Sequence, residues 1–324
     1  MPPAPLDRAP ALRDLSEDEL LSRLLPLLGS GPGVILGPGD DTAVLAVSGG
    51  AVLATTDVMV RDRDWRDDWS SAADVGHKTV AQNVADIAAM GGRPTGLLVS
   101  LAADPDLPVV WAEEFTRGVA GGAADAGAPV LGGDLSSAPP GQVTVSVSAL
   151  GEMAAGQTPV LRSGARPGDI VAVAGSLGRS DAGLRLLAAG TPDRVPEWVA
   201  YHRRPRPPYE QGPAAAAAGA TSMIDLSDGL VRDAGRVALA SGVAVALDTG
   251  LLAADLARLA PVLGQEVATT CVLTGGEEHS LLATFPGRGS VPAGWRRIGV
   301  VAAGSGVWVD GQLMTGGGWD HFAG

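Results

Sequence analysis

The chain has 324 residues, a formal net charge of −13, 46% hydrophobic residues and 18% charged ones, which is too apolar and too weakly charged for a disordered chain. The acidic balance argues against a general nucleic-acid binder, no run of about 18 apolar residues is available to span a membrane, and the opening MPPAPLDRAPALRDL lacks the basic-then-apolar order of a secretory signal. The single cysteine, Cys271, permits no internal disulfide and no cysteine-based metal site, as expected of a reducing cytoplasm.

In chain order, residues 1–30 read as a Pro-rich tail and a helix, with Ser16 and Glu19 as a capping box and Leu20, Leu21, Leu24 and Leu25 as an apolar stripe. Two extended runs, Thr42–Val47 and Ala51–Val60, flank Ser48-Gly49-Gly50 and predict a hairpin. A charged loop (61–69) leads to a helix over Asp74–Met90, stopped by Gly91-Gly92. Val80, Val84 and Ile87 share one face of it, and Thr79, Asn83 and Asp86 another. A strand (Gly96–Ala103), a helix (108–126), a short strand into GGDLS (129–136) and an alternating strand (Gln142–Gly151) complete a first α/β unit.

RSGARPGD (162–169) reads as a connector. A second unit follows: a strand at Ile170–Ala174, a helix near 180–189, an irregular stretch at 203–213 that carries four prolines, and a strand at Ser222–Asp225. Helices at 229–241 and 252–263 bracket a strand at 243–248, and strands near 270–274, 280–285, 297–302 and 306–309 end the series. Cys271 falls in the first of these, ATTCVL, with a buried structural role. The fold class is α/β (α+β) with two domains, 1–152 and 153–324, at about 150 residues each.

The one lysine, Lys78, sits in Gly76-His77-Lys78-Thr79, where a P-loop would need Gly before the lysine, and no complete G-x-G-x-x-G occurs. The four histidines show no metal-ligand spacing, and no G-x-S-x-G elbow is present. Carboxylates instead recur beside glycines or hydroxyls: Asp40-Asp41, Thr55-Thr56-Asp57, Asp86, Gly133-Asp134, Asp225-Leu226-Ser227-Asp228 and Glu277-Glu278, the last after a predicted strand. Each alone has a plainer reading. Gly-Asp-Asp is a turn, Asp228 an N-cap, Asn83 with Asp86 a solvated helix face, and Gly-Gly-Glu-Glu a charged loop tip. Six together favour several magnesium ions, because carboxylates hold a triphosphate only through a divalent metal.

Taken in order, GPGDDTAVL (37–45), TTDVMV (55–60), KTVAQNVADIAAMGGRP (78–94), VLGGDLS (130–136), VLRSGARPGD (160–169), SMIDLSDGL (222–230), LTGGEEHSLL (273–282) and GGWDHF (317–322) resemble the thiamine-monophosphate kinases. These belong to the superfamily of aminoimidazole ribonucleotide synthetase, selenophosphate synthetase and a hydrogenase maturation factor. The resemblance spans nearly the whole chain. It implies in-line transfer of the ATP γ-phosphoryl to thiamine monophosphate with several magnesium ions and no catalytic nucleophile or base. It also implies an N-terminal α/β domain whose mixed sheet pairs across a homodimer axis, and a C-terminal domain that closes the cleft.

Carried over by motif, Asp41, Thr55, Thr56, Asp57, Asp86, Asp134, Asp225 and Asp228 resemble the metal ligands. Thr116, Gly133, Asp134, Arg162 and Ser227 resemble the ATP contacts, and Asp64, Glu277 and Trp319 the substrate side. The chain departs from the family's pattern at Asp64, where a histidine is common, at Thr116, where an aromatic is common, and at Glu278, where aspartate is commoner. A different acceptor within the superfamily and a non-catalytic magnesium-nucleotide binder are the competing readings.

Overall fold

Alternation of apolar and polar residues in the first half builds a mixed sheet with one covered face. The computed structural model describes residues 34–36, 43–47, 50–287 and 291–319; the helix expected within 1–30, and Asp40 and Asp41, lie outside them. Strands β1 (Val34–Leu36), β2 (Ala43–Val47), β3 (Gly50–Val60), β4 (Arg93–Ala103), β5 (Val130–Ser137) and β6 (Val143–Glu152) form a sheet of order β1-β2-β3-β6-β4-β5. The expected hairpin is β2–β3, antiparallel with Val47 opposite Gly50. β4 and β5 run parallel and the other neighbours antiparallel. Helices α1 (Ala72–Ala89) and α2 (Val109–Ala126) cover one face, burying Leu53, Met59, Leu97, Val145 and Val147 with Val80, Val84 and Ile87.

Local chemistry sets α1. Ser71 caps it: its hydroxyl accepts from the Asp74 N–H at 3.2 Å while the Asp74 carboxylate accepts from the Ser71 N–H at 3.0 Å. Burying Val80, Val84 and Ile87 adds roughly 1.5–3 kcal/mol each as an upper estimate. α1 and α2 touch backbone to backbone, since a Cβ at Gly76 would lie 2.2 Å from the Phe115 carbonyl oxygen and one at Gly118 2.0 Å from that of Ala73.

The second half forms a seven-stranded sheet from β7 (Ile170–Ala174), β8 (Ser222–Leu226), β9 (Ala244–Leu247), β10 (Ser280–Phe285), β11 (Trp295–Ala302), β12 (Gly306–Val309) and β13 (Gln312–Leu313), in the order β13-β12-β9-β11-β7-β10-β8. Helices α3 (Arg179–Ala188), α4 (Pro196–Arg203), α5 (Gln211–Ala217), α6 (Leu230–Ser241), α7 (Ala253–Leu263) and α8 (Gln265–Thr274) complete it. Strands β7, β8 and β10 are buried on both faces. Val171, Val173, Ile224, Leu226 and Leu282 enter the core with α3, α4, α6 and α8. Ala172, Ala174, Met223, Leu281 and Phe285 pack on the other side with Ala88 and Ala89, the C-terminal end of α1. Helix α1 is therefore shared by both sheets, which places the acidic residues of β3 and α1 beside the second sheet.

Two expectations are corrected. Residues 270–274 are not a strand but the end of α8, so Cys271 lies in a helix and Gly-Gly-Glu-Glu joins a helix to a strand. β-branched residues give this stretch its extended look. Nevertheless the Thr269, Thr270 and Thr274 hydroxyls donate to carbonyls four residues back, and Ala268, Cys271 and Val272 bury one helical face. Burial raises the Cys271 thiol to about 12, with the Asp181 carboxylate adding to the rise, so the thiol is an inert core group. The Pro-rich stretch yields to helix α5 from Gln211, because Pro213 sits in the first turn, where its missing N–H has no intrahelical partner to lose.

Candidate functional site

Strand β3 turns Leu53, Thr55, Asp57 and Met59 toward α1. The Thr55 hydroxyl donates to the Asp86 carboxylate at 2.8 Å, and the Asp57 N–H to the Asn83 side-chain oxygen at 3.1 Å. Asn83 donates to the Thr79 carbonyl at 2.8 Å, and both residues are fully buried. The face carrying Thr79 and Asn83 is thus a polar seam between helix and strand, not a solvated surface. Asp64 is held too: its carboxylate accepts the Val60 N–H at 2.6 Å, closing the loop after β3.

From the other sheet, β8 ends in Asp225-Leu226-Ser227-Asp228. Asp225 shares its strand face with Met223, the face turned toward α1, and its carboxylate accepts from His279 Nδ1 at 3.1 Å. Asp228 is not the N-cap of α6; that position is Gly229, with φ 117° and no room for a Cβ, which would lie 2.7 Å from the Thr274 carbonyl. The Asp228 carboxylate instead pairs with Arg236 at 2.6 Å. Fully buried Asp233 shapes this turn by accepting the N–H groups of Asp228 and Gly229 at 3.0 and 3.1 Å. Burial pushes its carboxyl well above the usual range against the pull of Arg236. The Trp319 N–H donates to the Asp228 carbonyl at 3.0 Å, bringing the C-terminal segment over the same turn.

The segment from Gly275 to His279 is strained. Glu277 and His279 hold positive φ values of 57° and 50°. Non-glycine residues in this region cost about 1–3 kcal/mol each unless their surroundings fix them. The fixing group is Glu278, buried and accepting the Ser176 hydroxyl at 2.5 Å and the Ser180 N–H at 2.8 Å, at the N-terminus of α3. Burial raises its carboxyl. Glu277 meets Lys78 Nζ at 2.6 Å and His202 Nδ1 at 3.4 Å. Burial alone would raise the Glu277 carboxyl, but Lys78, then His202, outweigh it and hold it below the usual range. Burial, helped by Lys78, pushes His202 down to about 4, so its ring is neutral at pH 7.

These elements enclose a cavity of about 700 Å³ between the two sheets. Of the residues nominated by the sequence, Thr55, Thr56, Asp57, Asp64, Asp86, Arg162, Asp225, Ser227, Asp228, Glu277 and Trp319 line it. Thr116, Gly133 and Asp134 do not. Thr116 is exposed on α2 and bonds the Ala112 carbonyl, while Gly133 and Asp134 lie inside the exposed edge strand β5 rather than at a strand end. Gly133 has a packing reason of its own, since a Cβ there would lie 1.9 Å from the Val99 carbonyl oxygen. Asp41 falls outside the described residues.

Sequence reasoning treated histidine and lysine as bystanders, and that is corrected. Lys78 compensates Glu277, His202 and His279 lie against Glu277 and Asp225, and Arg236 and Asp181 line the cavity as well. The signal for Lys78 was available: Lys78, Gln82 and Asp86 recur every four residues on α1, and Gln82 and Asp86 both border the cavity.

The donor set is all oxygen: Asp57, Asp86, Asp225 and Asp228 with the hydroxyls of Thr55 and Thr56. Among the described residues no group of three His, Cys, Asp or Glu side chains closes a cage around one ion. The residues fit magnesium held by one or two carboxylates plus phosphate oxygens, and not a pre-built all-protein site.

Residues 39–153 match the family model described as AIR synthase related protein, N-terminal domain. Over 319 residues the chain is 44% identical to the thiamine-monophosphate kinase of Mycobacterium tuberculosis (strain CDC 1551 / Oshkosh), covering 97% of this chain and 94% of that protein. A solved structure of AaThiL complexed with AMPPCP and TMP superposes with a TM-score of 0.87 at 32% identity, over 97% of this chain and 99% of that one. Thiamine monophosphate kinase from Aquifex aeolicus gives a TM-score of 0.82 at 31% identity, over 94% and 100%.

Proposed function

The chain belongs to the thiamine-monophosphate kinase family, and from that membership we propose that it transfers the γ-phosphoryl group of ATP to the phosphate of thiamine monophosphate, giving thiamine diphosphate and ADP. The observation that carries this reading is the convergence of Asp57 on β3 and Asp86 on α1 with Asp225 and Asp228 at the end of β8 on a single cavity that also admits Arg162. Carboxylates gathered around polyanions make sense only with divalent cations between them.

The acceptor oxygen is already anionic, so the step needs positioning and charge neutralisation more than a protein base or nucleophile. Thr55, Thr56, Asp57, Asp86, Asp225 and Asp228 would hold magnesium, which when bound neutralises phosphate oxygens. Arg162 offers a charged fork and Ser227 a hydroxyl to the nucleotide. The cavity wall also carries the Trp319 indole, suited to a cationic thiazolium ring. Glu277 enters as the neutralised member of a Lys78–Glu277–His202 cluster rather than as a bare carboxylate, so its part is to shape that wall. Neutral His202 adds no positive charge there.

In this proposal the chain divides near residue 152 into an ATP-binding half and a half that closes the cavity. Two copies pair through the uncovered face of the first sheet, where Val58 (53% exposed), Leu98 (43%) and Leu131 (58%) leave apolar surface in water. No described helix is long and apolar enough to cross a membrane, and we place the reaction in the cytoplasm. Incubation with ATP, magnesium and thiamine monophosphate, followed by product analysis, tests the reading. Thiamine diphosphate should accumulate one-for-one with ADP, and not when free thiamine replaces the monophosphate. ATP binding without product would reject it. Light scattering of the eluted protein should give twice the chain mass.

A further inference from the structure

A second cavity, of about 520 Å³, lies on the other side of α4 from the first and shares no lining residue with it. Arg179, Arg203, Arg204 and Arg206 converge on it, against the two carboxylates Asp74 and Glu197. In a chain of net charge −13 this is a concentrated positive field.

Two of the guanidinium groups, those of Arg203 and Arg204, are anchored through Nε, which spares their terminal forks. Arg203 donates through Nε to the Trp69 carbonyl, and Arg204 through Nε to the Asp74 carboxylate. Arg179 lies with its central carbon 4.6 Å from the Tyr201 ring centroid and reaches only a backbone carbonyl, that of Glu197, at 3.5 Å. Arg206 is exposed and has no side-chain partner among the described residues. Asp74 is already engaged by the Ser71 N–H and hydroxyl at 3.0 and 2.8 Å. Free N–H pairs on planar forks match the geometry of phosphoryl oxygens. The two cavities thus handle negative charge by opposite means: the first surrounds it with carboxylates that need a cation, the second with cations supplied by the chain.

We propose that this arginine-lined cavity is a second, metal-independent binding site for a small phosphorylated anion, with a diphosphate group preferred over a single phosphate because several arginines line one space. The site is separate from the proposed catalytic cavity and does not rest on the kinase reading.

The test is calorimetric titration of the full chain with inorganic pyrophosphate in excess EDTA, which withholds the divalent cation that the catalytic cavity requires. A single saturable event is expected, tighter than that for inorganic phosphate. Arg206→Glu should weaken it by at least about tenfold while leaving the thermal midpoint unchanged, since Arg206 is exposed and makes no hydrogen bond or ion pair among the described residues. Asp86→Asn, in the other cavity, should leave it within about twofold. Absence of saturable binding in EDTA overturns the proposal. So does binding that Arg206→Glu leaves intact, or binding that Asp86→Asn abolishes.

Discussion

Replacing Lys78 with methionine tests whether the acidic wall is held by internal compensation. The side chain of Lys78 is 5% exposed and its ammonium lies 2.6 Å from Glu277, whose side chain is 36% exposed. Methionine keeps the length of the apolar stem and removes the charge. Deleting one partner of a fully buried pair costs about 3–5 kcal/mol, because the other charge is left unpaired. Glu277 keeps more than a third of its side chain in water, so roughly half of that is expected, about 2 kcal/mol. For a chain of this length that is a fall of about 4 °C in Tm at pH 7. The sign with pH follows from the depressed Glu277 carboxyl. In the parent its stabilising contribution is present above the ordinary carboxylate pKa and is lost as pH falls through the lower folded value. Without the ammonium, burial dominates and raises the carboxyl above its unfolded value, so the variant's deficit is full at pH 7 and shrinks as pH falls through that raised value. Differential scanning fluorimetry from pH 4 to 8 on the parent, Lys78→Met, Glu277→Gln and the double variant measures both effects. The double variant should recover most of the loss, because no buried charge is stranded. A Lys78→Met midpoint within 1 °C of the parent, or a double variant no better than the single one, would refute the reasoning.

Asp86→Asn should lower kcat on the order of 10²–10³-fold with Tm nearly unchanged, since asparagine still accepts the Thr55 hydroxyl bond but carries no charge for a cation; single-turnover phosphorylation with a melting curve checks it. His202, neutral when folded and pushed down to about 4, should give stability that is complete above its unfolded pKa near 6.5 and is lost as pH falls toward 4. The loss is worth at most about 3 kcal/mol, and in His202→Gln that segment of the Tm–pH curve should flatten. Gly118→Ala should destabilise by about 1–3 kcal/mol through overpacking of the α1–α2 crossing, where the added carbon would meet the Ala73 carbonyl at 2.0 Å. Gly121→Ala on the same helix, with nothing within 4 Å of the new carbon, should be neutral or slightly stabilising, and urea titration of the two variants measures the difference.

What the sequence determined by itself was everything carried by local pattern. Alternation set β6, Asn83 and Asp86 shared a helix with Val80 and Val84, and the acidic motifs around Asp57, Asp86, Asp225 and Asp228 named residues that line the cavity. Local pattern misled where packing overrode propensity: ATTCVL is rich in β-branched residues, yet it is helical because Ala268, Cys271 and Val272 fit the core on that period. Only the tertiary structure decided which charges meet. Lys78 and Glu277 are 199 positions apart, Asp225 ends a strand while His279 lies in the connector before another, and Gly133-Asp134, indistinguishable by motif from the other acidic turns, sits on an open edge. Helical and extended periods are properties of a few neighbouring residues. The pairing of an acid with its counter-charge depends instead on the register of two sheets and on the one helix, α1, that both of them share.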